Sequence, residues 1–150
     1  MQFLASVYLS LLALTKSTGA TLKFYTQVDL KVLHNLPHVL PDGFFSITEK
    51  TGSSKRFFLV IFKPYLIEKD LVKRVHMYFS YYKRGVWQKY NPHPFPEIIF
   101  ICAEKKTFNF LNVVIKNKLK KESRIIFSLT TQDAIRKYGI SKKVLQKVEI

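Results

Sequence analysis

The chain has 150 residues and a mass of 17.6 kDa, with 47% hydrophobic and 15% aromatic residues, which fits one domain with a real core and argues against a disordered chain. Its 25 Lys and Arg against 10 Asp and Glu give a formal charge of +15 and point to a polyanion, nucleic acid or an anionic membrane surface. A single cysteine, Cys102, excludes an internal disulfide and a cysteine-based zinc site.

The basic residues are unevenly placed. Residues 1–50 carry 4 basic and 3 acidic side chains, residues 51–100 carry 9 and 3, and residues 101–150 carry 12 and 4. The cationic surface therefore belongs to the later two-thirds.

In the first twenty residues Phe3, Val7, Leu11 and Leu14 recur at helical spacing, which predicts a helix packed on a sheet and ended near Gly19. The apolar run is too short to span a bilayer. Its apolar centre and its small-residue end, Ser17-Thr18-Gly19-Ala20, also fit a secretory signal cut after Ala20, although the cationic start of such a signal is missing. Thr21 to Thr26 predicts a strand, and residues 28–39, with no clear period, a connection.

Pro41-Asp42-Gly43 opens a predicted hairpin. Gly43 to Thr48 and Arg56 to Phe62 are its strands, and the polar stretch from Glu49 to Ser54 is its turn. An aspartate at the head of one strand, with a lysine, Lys63, past the end of the next, looks like half of a metal-dependent nuclease site. The second strand carries no acid. Magnesium is usually held by one or two carboxylates plus waters and phosphate, and it must activate water and stabilise the leaving oxygen. Asp42 alone holds it poorly, and as part of a turn tripeptide Asp42 also has a purely structural reading. Glu49, Glu68 and Glu97 are candidates for a displaced second acid.

After Pro64 the positions Val72, Val75, Phe79, Tyr82 and Val86 repeat with helical period, and Lys69, Lys73, Arg74, Lys83 and Arg84 occupy much of the remaining circumference. Asn91 to Pro96 stops this helix, and Glu97 to Ala103 supplies a buried strand in which Cys102 is a small hydrophobe. A helix from Thr107 to Leu119 closes on the basic run Lys116, Lys118, Lys120 and Lys121, where its dipole favours cations. Arg124 to Leu129 is a predicted strand, and Thr130 with Asp133 reads as a capping box before a last helix at Ala134–Tyr138. The sum is a single α/β domain over residues 1–150, a sandwich with a mixed central sheet flanked by helices. The four histidines, His34, His38, His76 and His93, show no metal-ligand spacing.

In order and spacing, the opening helix, Leu40-Pro41-Asp42-Gly43-Phe44-Phe45, Arg56-Phe57-Phe58-Leu59, Tyr78-Phe79-Ser80-Tyr81-Tyr82-Lys83-Arg84-Gly85 and Phe127-Ser128-Leu129-Thr130-Thr131 resemble the C-terminal domain of the plasmid replication-relaxation family. The resemblance implies a restriction-endonuclease-like fold, linked to control of plasmid or mobile-element replication or mobilisation. The winged-helix region that often precedes that domain has no counterpart in the sequence.

Where the family carries acids in its second strand, this chain has Val60 and Phe62. The resemblance therefore implies a degenerate active site, with Asp42 and Lys63 as its vestiges. The function expected is a catalytically silent, DNA-associated module in the cytoplasm, with replication or mobilisation proteins as further partners and neither cofactor nor membrane. Phosphate contacts fall to Lys69, Lys73, Arg74, Lys83, Arg84 and the Lys116–Lys121 run. Tyr81, Tyr82 and Trp87 stack or pack. The alternatives are a magnesium-dependent DNA endonuclease with a relocated acid, and a secreted basic protein.

Overall fold

The structure, a computed structural model, describes residues 2–150, with side chains from Phe3 onward. Met1, the first residue of the expected helix, lies outside them.

Helix α1 (Gln2–Thr18) buries Val7, Leu11 and Thr15, a stripe with i, i+4, i+8 spacing. Thr15 is tolerated in that stripe because its hydroxyl donates to the carbonyls of Leu11 (3.1 Å) and Leu12 (3.0 Å). Gly19, at φ +75°, ends the helix and turns the chain into β1 (Thr21–Thr26). A four-residue helix, α2 (Gln27–Leu30), follows, with the Asp29 carboxylate accepting from the Thr26 amide at 2.9 Å. So short an element leaves no periodicity to read.

Strands β2 (Gly43–Thr48) and β3 (Ser54–Ile61) form the expected hairpin, and β1 pairs antiparallel with β2 on its other edge. Helix α3 (Glu68–Lys83) then returns the chain so that β4 (Glu97–Cys102) lies parallel to β3. Helix α5 (Lys105–Leu119) does the same for β5 (Phe127–Thr131). After α6 (Gln132–Tyr138) a two-residue strand, β6 (Gln146–Lys147), closes the edge antiparallel to β5. The sheet is mixed, six-stranded and in sequence order, β1-β2-β3-β4-β5-β6.

Helices lie on both faces, which is why the central strands β3 and β4 are hydrophobic on both sides. Phe58, Val60 and Phe100 face α3 and α5, together with Leu71, Val75, Tyr78, Leu111 and Ile115. Leu59, Ile99 and Ile101 face α1 and α6, with Phe45, Val7, Leu11 and Ile135. The fold is an α/β sandwich. Among the described residues no helix is long and apolar enough to cross a membrane.

Four local expectations shift. In α1 the buried stripe passes from Leu11 to Thr15, whereas Leu14, expected on that face, is exposed. The buried stripe of α3 is Leu71, Val75, Tyr78 and Tyr81, whereas Val72 is exposed and Phe79 and Tyr82 are half-buried. The expected single helix through Val86 breaks at Gly85 (φ +69°), and a short α4 (Val86–Tyr90) carries Trp87 into the core, its Nε1 donating to the His93 carbonyl at 2.9 Å. The cap of α6 is Thr131, whose hydroxyl accepts from the Ala134 amide at 3.2 Å. Thr130 is still inside β5 and only 1% exposed, so the predicted Thr130–Asp133 box does not form.

Candidate nucleic-acid interface

Pro41 and Asp42 sit where β3 outruns its partner. The Asp42 amide donates to the Leu59 carbonyl at 2.8 Å, continuing the ladder by one rung, and the chain then turns away before it can pair with Ile61. The Asp42 side chain replaces the missing strand: its Oδ2 accepts from the Ile61 amide at 2.6 Å. Burial pushes the Asp42 carboxyl above its ordinary value, and the Ile61 bond, Arg74 and Lys63 only partly pull it back.

A cleft of about 560 Å3 opens beside this carboxylate. Lys63 enters it just past β3, and Asp70, Lys73 and Arg74 enter it from the first turns of α3. Arg74 is held by donating Nη2 to the Leu40 carbonyl at 3.0 Å. Its Nε is buried beside the hydroxyl of Tyr78, which lies one helical turn on and interacts with the Arg74 side chain. Three cations and two carboxylates thus share one concavity.

Of the two positions at which the resemblance expects acids, Val60 points into the α3 core and Phe62 packs edge-on against Phe100 at 4.9 Å while also reaching the cleft. The residue that meets Asp42 is Ile61. None of the three acids considered for a displaced site reaches the cleft: Glu49 and Glu97 lie on another cavity, and Glu68 lines neither. The second carboxylate is Asp70, missed in the sequence although it stands three and four residues before Lys73 and Arg74, on the same helical face. Among the described residues no group of three or more His, Cys, Asp and Glu is gathered as for a metal ion.

The predicted cationic residues fall into two groups. Because α3 runs back from the end of β3 to the start of the parallel β4, Lys73 and Arg74 line the cleft and Lys69 stands at the same end of the helix without lining it, while Lys83 and Arg84 are at the far end, about 21 Å from Lys69 along the helix. Helix α5 runs in the same direction and brings Lys116, Lys118, Lys120 and Lys121 to that far end. Lys118 reaches back from there to the middle of α3, its Nζ 3.3 Å from His76 Nδ1, joining α5 to α3. Tyr81 and Trp87 are core residues, and the Tyr81 hydroxyl donates to the Asn35 carbonyl at 2.6 Å.

No family model, curated protein or solved structure matches the chain.

Proposed function

We propose that the chain is a catalytically silent domain of restriction-endonuclease-like fold that associates with DNA through its phosphates, in the cytoplasm, where plasmid or mobile-element replication or mobilisation is controlled. In support of the fold, Asp42 heads β2, β3 lies antiparallel beside it with Lys63 past its end, and α3 crosses to a parallel β4. In support of the silence, one observation counts most: one oxygen of the Asp42 carboxylate is taken by the Ile61 amide, beside a strand of hydrophobes and among Lys63, Lys73 and Arg74. With three cations against two carboxylates, such a cleft favours a phosphate over a divalent cation.

Fluorescence anisotropy with duplex and single-stranded DNA across a salt series tests this. The reading expects binding that weakens steeply with salt and shows little sequence preference. Lys63→Gln and Lys73→Gln each lower the salt slope by about one, as the loss of one phosphate contact does. Binding that ignores salt contradicts it.

A second reading has a specific observation behind it, since Asp42 and Asp70 line one cleft. Two carboxylates are the number magnesium commonly uses beside waters and phosphate. On this reading the chain is a magnesium-dependent endonuclease with Asp70 as the relocated acid, and strand scission is abolished by either Asp42→Asn or Asp70→Asn.

A further inference from the structure

We infer that the recess on the α1 face of the sheet binds a single-chain amphiphile with an anionic head, of the fatty-acid type. Helices α1 and α6 leave part of that face open. Phe45, Ile47, Phe57 and Ile99 floor a recess of about 820 Å3 there, with Leu14 of α1 on one wall and Leu145 on the other. The volume lies within the range of small-molecule sites, roughly 300–1,000 Å3. The rings of Phe45 and Phe57 stack at 4.8 Å, and with Phe45 and Ile99 buried beneath, the half-buried Ile47 and Phe57 give the floor an apolar surface that suits an aliphatic chain.

The rim of the recess is cationic. Four lysines, Lys50, Lys55, Lys142 and Lys147, line the recess against two acids, Glu49 and Glu97. Lys55 is partly offset by Glu97, whose carboxylate lies 3.9 Å from its Nζ. Among the described residues Lys50, Lys142 and Lys147 have no ion pair. Gly19 shapes one side of the mouth: the methylene stem of Lys50 lies where any Cβ at Gly19 would collide with it. An apolar trough with a cationic edge matches a ligand whose tail is hydrocarbon and whose head is a carboxylate. The recess lies at the hairpin-turn end of β2 and β3, opposite the Asp42 cleft, so it is independent of the DNA reading.

Calorimetric titration of the whole chain with decanoate, dodecanoate and tetradecanoate, each below its micelle concentration, tests the inference. Affinity is expected to rise roughly fourfold per added methylene. Dodecanol and dodecylammonium bind roughly tenfold more weakly than dodecanoate, as does dodecanoate itself to the triple variant Lys50→Gln, Lys142→Gln, Lys147→Gln. Leu14→Trp, which fills the recess, removes binding of the whole series. Affinity independent of chain length, equal affinity for the ammonium ion, or binding only to anionic phospholipid vesicles overturns the inference. So does a ligand-free dimer, seen by sedimentation, that Leu14→Glu dissociates, because a second copy then occupies the recess.

Discussion

The carboxylate of Asp42 accepts the main-chain N–H of Ile61 at 2.6 Å, closing the one rung that β2 leaves open on β3. This bond gives Asp42 a structural task that needs an acceptor and does not need a charge. Asp42→Asn keeps an acceptor oxygen and removes a charge from a partly buried place, so it leaves stability at neutral pH unchanged or raised. Asp42→Ala orphans the Ile61 amide and costs about 1–3 kcal/mol. Chemical denaturation of the two variants checks the contrast.

The same residue sets a pH dependence. Burial raises the folded carboxyl above its unfolded value of 3.8, so the folded state holds the proton more tightly than the unfolded state does. The stability Asp42 contributes is then fully present below that value and is lost as pH rises through the folded pKa. Wild type compared with Asp42→Asn therefore loses relative stability between acid and neutral pH. A difference that runs the other way would show that the Ile61 bond and the nearby cations outweigh burial.

Thr130 and Thr131 separate a cap from a core position. Thr131→Ala removes the acceptor for the Ala134 amide and costs about 1 kcal/mol. Thr130 has a buried hydroxyl with no hydrogen-bond partner, so Thr130→Val is neutral or stabilising. Thermal denaturation of both variants distinguishes this arrangement from a cap at Thr130, which would reverse the two effects.

These adjacent threonines illustrate what was legible in the sequence and what was not. The hairpin was legible because Pro41-Asp42-Gly43 and the turn through Gly52 punctuate two β-rich runs, and both fall where expected. The order of the longer helices and strands was legible because α1, α3 and α5 alternate with short apolar runs. Register within α3 was not, since Leu71-Val72, Tyr78-Phe79 and Tyr81-Tyr82 place apolar residues side by side and either member of each pair satisfies a helical period. The cleft was half legible. Asp42, Lys63, Lys73 and Arg74 were singled out, whereas Asp70 joins them only through the crossing of α3 over the end of β3. The separation of the α3 and α5 cations into two ends is likewise a consequence of parallel topology.

Phe58 marks the centre of the larger core. Its ring lies 5.4–6.3 Å from those of Phe44, Tyr78, Tyr81, Trp87 and Phe95. Phe58→Ala leaves a cavity at the meeting point of β3, α3 and α4 and costs about 3–5 kcal/mol, a loss that urea denaturation reads directly. Phe58→Leu costs less.

Cys102 is buried, and burial pushes its thiol up to about 12. Native protein is therefore inert to a maleimide at neutral pH, and labelling follows the kinetics of unfolding. Mass spectrometry after timed exposure measures this. Labelling that is complete before any unfolding would place the thiol at an accessible site.

The most direct measurement combines binding and cutting in one tube: supercoiled DNA, magnesium and increasing protein at low salt, read both by gel shift and by conversion to nicked circles. A scaffold that holds phosphate beside a carboxylate tied to Ile61 retards the DNA and leaves every circle closed. Magnesium-dependent nicking that disappears in Asp42→Asn, a variant that keeps the fold, would contradict it.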